Sequence, residues 1–77
     1  MSRPVKRSFT IAGHRTSISL EAPFWEALKA AASDRRLPVA KLVATIDEAR
    51  SASCGLSSAV RVWILEHYRA GARHSTT

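Results

Sequence analysis

The sequence predicts a mainly helical chain with a short β-ribbon near its N-terminal end, assembled as a homodimer. Three observations lead there. Arg15 to Leu20 alternates strictly, with Thr16, Ile18 and Leu20 on one side and Arg15, Ser17 and Ser19 on the other, the period of a half-buried strand. Nothing downstream alternates as well, while three later stretches repeat at helical spacing. Finally, 77 residues make one domain. A chain of this size buries only about 60% of its unfolded surface, so a second copy would add burial that it lacks.

The composition narrows the partners. Lys and Arg total 12 against 6 acidic residues, a net charge of +6 that points toward a polyanion. The excess is uneven: residues 1–20 hold Arg3, Lys6, Arg7 and Arg15 and no acidic residue. A single cysteine, Cys54, excludes an internal disulfide and suits a reducing, cytoplasmic setting. No apolar run is long enough for a signal peptide or a membrane span, so no membrane partner is expected. Residues 1–4 read as a flexible basic lead, 5–70 as the folded domain and 71–77 as a disordered tail.

The first apolar alternation runs from Val5 to Ile11, with Phe9 and Ile11 on odd numbers, whereas Arg15 to Leu20 places its apolar side on even ones. A flat strand through both would flip its apolar face, so Ala12-Gly13-His14 must hold a turn or a bulge. In a hairpin, odd must oppose even, for instance Phe9 opposite Thr16. The second strand then finds partners either in the preceding segment or in another copy. A hairpin and a loose basic arm both remain open at this point.

Glu21 to Arg36 forms the first helix, with an acidic residue and Pro23 in its first turn and a stripe of Phe24, Trp25, Leu28, Ala31 and Ala32. Leu37-Pro38 breaks it. The second helix spans about 38–52, with Val39, Leu42, Val43, Ile46 and Ala49 on one face. After a break at Ser51 to Gly55, a third helix runs over about 57–70, N-capped by Ser57 or Ser58. Leu56, Val60, Trp63, Ile64 and Tyr68 make its stripe, and Val62 and Leu65 widen the apolar surface beyond what one core needs, as a subunit interface would.

The order strand, helix, break, helix, together with Arg15-Thr-Ser-Ile-Ser-Leu-Glu21, Phe24-Trp25, Leu28, Arg35-Arg36-Leu37 and Leu42-Val43, resembles the ribbon-helix-helix family of Arc- and MetJ-type repressors. The run from Arg7 to Glu21 is similar to a bacterial subfamily of small stand-alone members, and the likeness extends from about Val5 to Tyr68.

That resemblance implies an intertwined homodimer, a transcriptional repressor, in which two copies pair their strands antiparallel into one ribbon above four clamped helices and the exposed side of that ribbon enters the major groove of double-stranded DNA. Carried over, Ile18, Leu20, Trp25, Leu28, Leu42, Ile46 and Trp63 belong to the core or the dimer interface, and Arg15, Ser17 and Ser19 face base edges. Arg3, Lys6 and Arg7 meet phosphates, as do Arg36, Val39 and Lys41 around the start of the second helix. The chain departs from the pattern twice. Pro38 stands where the family commonly has Ser or Thr, and Ser17 and Ser19 are short readers, which shifts affinity onto Arg15 and the other basic residues.

No enzyme, cofactor or metal is expected. His14, His67, His74 and Cys54 lack the paired short spacing of zinc ligands, and three glycines make no phosphate loop. The alternative is a protein-interaction module, antitoxin-like or otherwise partner-binding, that uses the apolar third helix.

Overall fold

The computed structural model describes the backbone of residues 3–75 and the side chains of residues 3–71; the ends expected to fray at Met1, Ser2, Thr76 and Thr77 lie outside the described residues. Strands β1 (Val5–Ile11) and β2 (His14–Leu20) are followed by helices α1 (Ala22–Asp34), α2 (Val39–Ala49) and α3 (Leu56–Ser75). The sheet is one antiparallel hairpin in which Phe9 stands opposite Thr16 and Ile11 opposite His14. That register joins Phe9, Ile11, Ile18 and Leu20 on one face, as the odd-against-even alternation requires. The ladder of β2 is thus filled on one side from within the chain. No second copy is needed to complete that edge.

The loop has two residues, Ala12 at φ 52° and Gly13 at φ 79°. Positive φ at both positions is the mark of a type I′ turn, whose twist matches that of the flanking strands. Glycine adopts this at no steric cost, but Ala12 carries a Cβ into the left-handed region.

All three helices pack beneath the hairpin, α2 against β1 and α3 against β2, with α1 touching both neighbours. Ile18, Leu20, Leu28, Leu42, Val43 and Val60 are completely enclosed, with Ile11, Trp25, Ala31, Ala32, Ile46, Ala59 and Ile64 around them. Each enclosed aliphatic side chain contributes about 1.5–3 kcal/mol relative to exposure, which makes this row the main support of the fold. Trp25 ties α1 to the hairpin: its indole Nε1 donates to the Val5 carbonyl at 2.9 Å and its ring stacks on Phe9 at 6.0 Å between centroids.

The helix ends depart from expectation in three places. First, α1 closes in a Schellman motif, with Leu37 N–H donating to Ala32 O at 2.9 Å and Arg36 N–H to Ser33 O at 3.0 Å, and Arg36 takes the left-handed position at φ 56°. Second, α2 is capped by Pro38, whose carbonyl accepts from Lys41 N and Leu42 N while its ring offers no side-chain hydrogen bond. Third, α3 starts at Leu56, ahead of both proposed caps, and continues past Ala70 to Ser75. Ser57 does not cap it. The hydroxyl of Ser57 instead accepts the backbone N–H of Ser19 at 3.1 Å.

Candidate nucleic-acid interface

Because the loop closes on the Ile11/His14 pair, the hydrogen-bonded pairs recur at Phe9/Thr16, Arg7/Ile18 and Val5/Leu20, and the pairs between them turn their backbone groups outward. Those intervening pairs are Thr10/Arg15, Ser8/Ser17 and Lys6/Ser19. Their side chains share the face of the hairpin that points away from the helices. This outer face is wholly polar, with hydroxyls at its middle and cations toward its ends. Ser8 Oγ and Ser17 Oγ lie 3.5 Å apart across it. Lys6, Ser8, Thr10, Arg15 and Ser17 are exposed, and Ser19 is half-buried.

Ser19 is half-buried because α3 covers its edge. Arg61 Nη2 donates to the Ser19 carbonyl at 3.2 Å, and the same guanidinium bonds Glu21, Nη2 reaching Oε1 at 3.0 Å and Oε2 at 3.3 Å while Nε reaches Oε1 at 3.2 Å. The Glu21 carboxyl is held below its ordinary value, first by a hydrogen bond from its own backbone and then by Arg61. Together, Ser57 and Arg61 take both outward backbone groups of Ser19.

The other residues expected to meet DNA fall in two places. Arg3 precedes β1 and is exposed. Arg7 lies on the inner side of the hairpin, across from Ile18, and lays its guanidinium over the Trp25 ring at 5.2 Å. It thereby joins Ser8, Phe9, Trp25, Lys29 and Val39 in lining a shallow cleft between β1 and the start of α2. Val39 is half-buried against the core at the first position of α2, Arg36 is exposed on the left-handed residue before it, and Lys41 is exposed on its first turn. Arg7 of β1 and Lys29 of α1 thus stand together at this cleft, beside the start of α2.

Among the core residues, Ile18, Leu20, Trp25, Leu28, Leu42 and Ile46 are buried. Trp63 is half-buried, with Arg35 stacked over one face at 5.0 Å and His67 at 5.1 Å. Val62, Leu65 and Tyr68 of α3 stand exposed, at 52%, 55% and 48%, beside Phe24 and Ile64. Sequence reasoning assigned no role to Ser8, Thr10 or Lys29. The alternation of Ser8 and Thr10 with Phe9 and Ile11 carried the signal for the first two; Lys29 had none, since only the fold brings it to Arg7.

Among the described residues no helix is long and apolar enough to cross a membrane, and no three His, Cys, Asp or Glu side chains converge as metal ligands. Residues 4–68 match the family model of the ribbon-helix-helix domain, which covers most of the chain. The chain belongs to the ribbon-helix-helix family, a family of DNA-binding regulators that generally bind as dimers. Its two-stranded antiparallel hairpin followed by helices is consistent with that family, with α3 as one further C-terminal helix. Comparison with curated proteins and with solved structures gave no match.

Proposed function

We propose that the protein is a cytoplasmic transcriptional regulator, a bacterial repressor, that binds double-stranded DNA as a homodimer by laying the outer face of its hairpin in the major groove. The observation that carries this reading is the outer face itself. It is acid-free and polar, ends in Lys6 and Arg15, and lies over an underside where Ile11, Ile18 and Leu20 are buried. Arg15 is suited to a bidentate contact with guanine, and Ser17 and Ser19 to either donor or acceptor at a base edge. Arg3, Lys6, Arg7, Arg36 and Lys41 supply phosphate contacts, with the backbone of Val39 at the positive end of α2. The exposed apolar side chains of α3 supply the surface for a second copy.

The test is an electrophoretic shift against random and genomic duplexes across salt concentrations. With about six to ten phosphates neutralised, log affinity falls with log salt at a slope near −0.9 per contact. Affinity that barely changes between about 50 and 200 mM salt contradicts the reading. Arg15→Ala should weaken binding and relax base preference, whereas Lys6→Ala should weaken it evenly across sequences. Sedimentation of the free protein tests the dimer.

A second reading is favoured by the same α3 surface: a protein partner, as for an antitoxin-like module, docked on Val62, Leu65 and Tyr68. Salt-insensitive or absent duplex binding, with co-purification of a stoichiometric protein that Leu65→Asp releases, would favour it.

A further inference from the structure

We propose that the cleft between β1, α1 and the start of α2 is a binding site for a small aromatic carboxylate. The site goes beyond the DNA-binding reading and does not depend on it. Arg7 and Phe9 of β1, Trp25 and Lys29 of α1 and Val39 of α2 line a space of about 340 Å³. That volume lies near the lower end of the range for small-molecule pockets, about 300–1,000 Å³. The walls combine two kinds of chemistry. Phe9 and Val39 are half-buried against the core and present apolar surface, while Arg7 and Lys29 are exposed cations. Among the described residues, none that lines the cleft is acidic.

The cations are held ready for an anion. The Arg7 guanidinium lies 5.2 Å from the centroid of the Trp25 ring. That ring is itself fixed by the hydrogen bond to Val5 O and by stacking on Phe9 at 6.0 Å. A guanidinium stacked in this way keeps its in-plane N–H fork oriented, the arrangement that takes a carboxylate through two parallel hydrogen bonds. Among the described residues the ion pairs are Arg50 with Asp47 and Arg61 with Glu21, and neither Arg7 nor Lys29 has a carboxylate partner. Lys29 adds a second positive charge that the same carboxylate would offset.

A bare inorganic anion would use only the charged half of the cleft. Filling the space beside Phe9 and Val39 needs an apolar body as well, and a shallow slot suits a flat ring, which packs on Phe9 and gains in proportion to the area it covers. A ring that carries a carboxylate on one edge satisfies both halves at once. Because the cleft is open on one side, a ligand of this size is held with a Kd of about 0.1–1 mM.

The experiment is a titration of the full-length protein with naphthoate, followed through the indole N–H signals in nuclear magnetic resonance spectra. The two tryptophans act as site and control, since Trp25 lines the cleft and Trp63 lies on α3 between Arg35 and His67. Trp63→Phe assigns the signals. Naphthoate should shift the Trp25 signal saturably and leave that of Trp63 in place. Arg7→Gln should weaken binding about tenfold and Lys29→Gln about threefold. Arg7→Lys, which keeps the charge and loses the fork, should weaken it about fivefold. Naphthylmethanol, the ring without the charge, and acetate, the charge without the ring, should each bind at least about tenfold more weakly to the wild type. These ligand comparisons decide the matter even if Arg7→Gln melts early. The proposal is overturned by a Trp25 signal that does not saturate, by equal shifts at both indoles, by a folded Arg7→Gln that binds as the wild type does, or by acetate or inorganic phosphate matching naphthoate. No DNA enters the experiment, so its failure leaves the DNA-binding reading standing.

Discussion

Arg61 and Glu21 are joined by three donor-acceptor distances between 3.0 and 3.3 Å, although they lie 40 residues apart in sequence. The pair anchors α3 at the junction of β2 and α1, where Arg61 also meets Ser19 O. The Glu21 carboxyl is held below the ordinary carboxylate range in the folded chain, by a hydrogen bond from its own backbone and by Arg61. A carboxyl with a depressed folded-state pKa contributes stability above its unfolded value and loses it as the pH falls through the folded one. Melting of the wild type should therefore lie above that of Glu21→Gln at pH 7, and the gap should close as the pH is lowered below 4.5. A gap unchanged down to pH 3 (about one and a half units below the unfolded value) would remove Glu21 from this role.

The left-handed Ala12 gives a second prediction. Ala12→Asn creates the Asn-Gly pair that type I′ turns favour, and asparagine tolerates positive φ better than alanine. Urea unfolding should show a gain of about 1 kcal/mol with an unchanged slope. A loss of stability would mean that the loop is not this turn in solution.

Arg36 separates folding from binding. It occupies the left-handed position of the Schellman motif, where glycine is the usual residue. Arg36→Gly should raise folding stability by about 0.5–1 kcal/mol. If Arg36 also meets a phosphate, the same variant should lower duplex affinity and reduce the salt slope by about 0.9. Gained stability with unchanged binding would take Arg36 out of the interface.

Trp25→Phe removes the donor to Val5 O while keeping an aromatic ring against Phe9. The expected cost is about 1–2 kcal/mol from the lost hydrogen bond and reduced packing. Hydrogen exchange should also quicken in β1 before the helices, because the indole holds the start of that strand to α1. Uniform exchange across all elements would argue against this local tie.

The strands and the helical stripes were legible because each is set by neighbours in sequence. The change of parity between Phe9-Ile11 and Ile18-Leu20 restricted a hairpin to odd-against-even pairing, since only that puts these four on one face, and the two-residue loop then selects Phe9 opposite Thr16 among such pairings. The loop type was not legible, because alanine seldom takes positive φ and only the closing strands hold Ala12 there. Ser57 misled for a related reason. A serine ahead of an apolar run reads as a helix cap, but a strand edge 38 residues away claims its hydroxyl. On the outer face of the hairpin, the β2 positions were legible from alternation, whereas the presence of Ser8 and Thr10 beside them depended on β1 being paired within the chain.

The closure of Ser19 by Ser57 and Arg61 bears on solubility as well as on recognition. A bare strand edge is a template for open-ended addition of further strands and so for fibres. Here one end of β2 is sealed by a helix, and the outer edge of β1 begins beside Lys6, whose ammonium group repels an identical incoming edge. The same helix that packs against β2 thus also limits how far the sheet can grow.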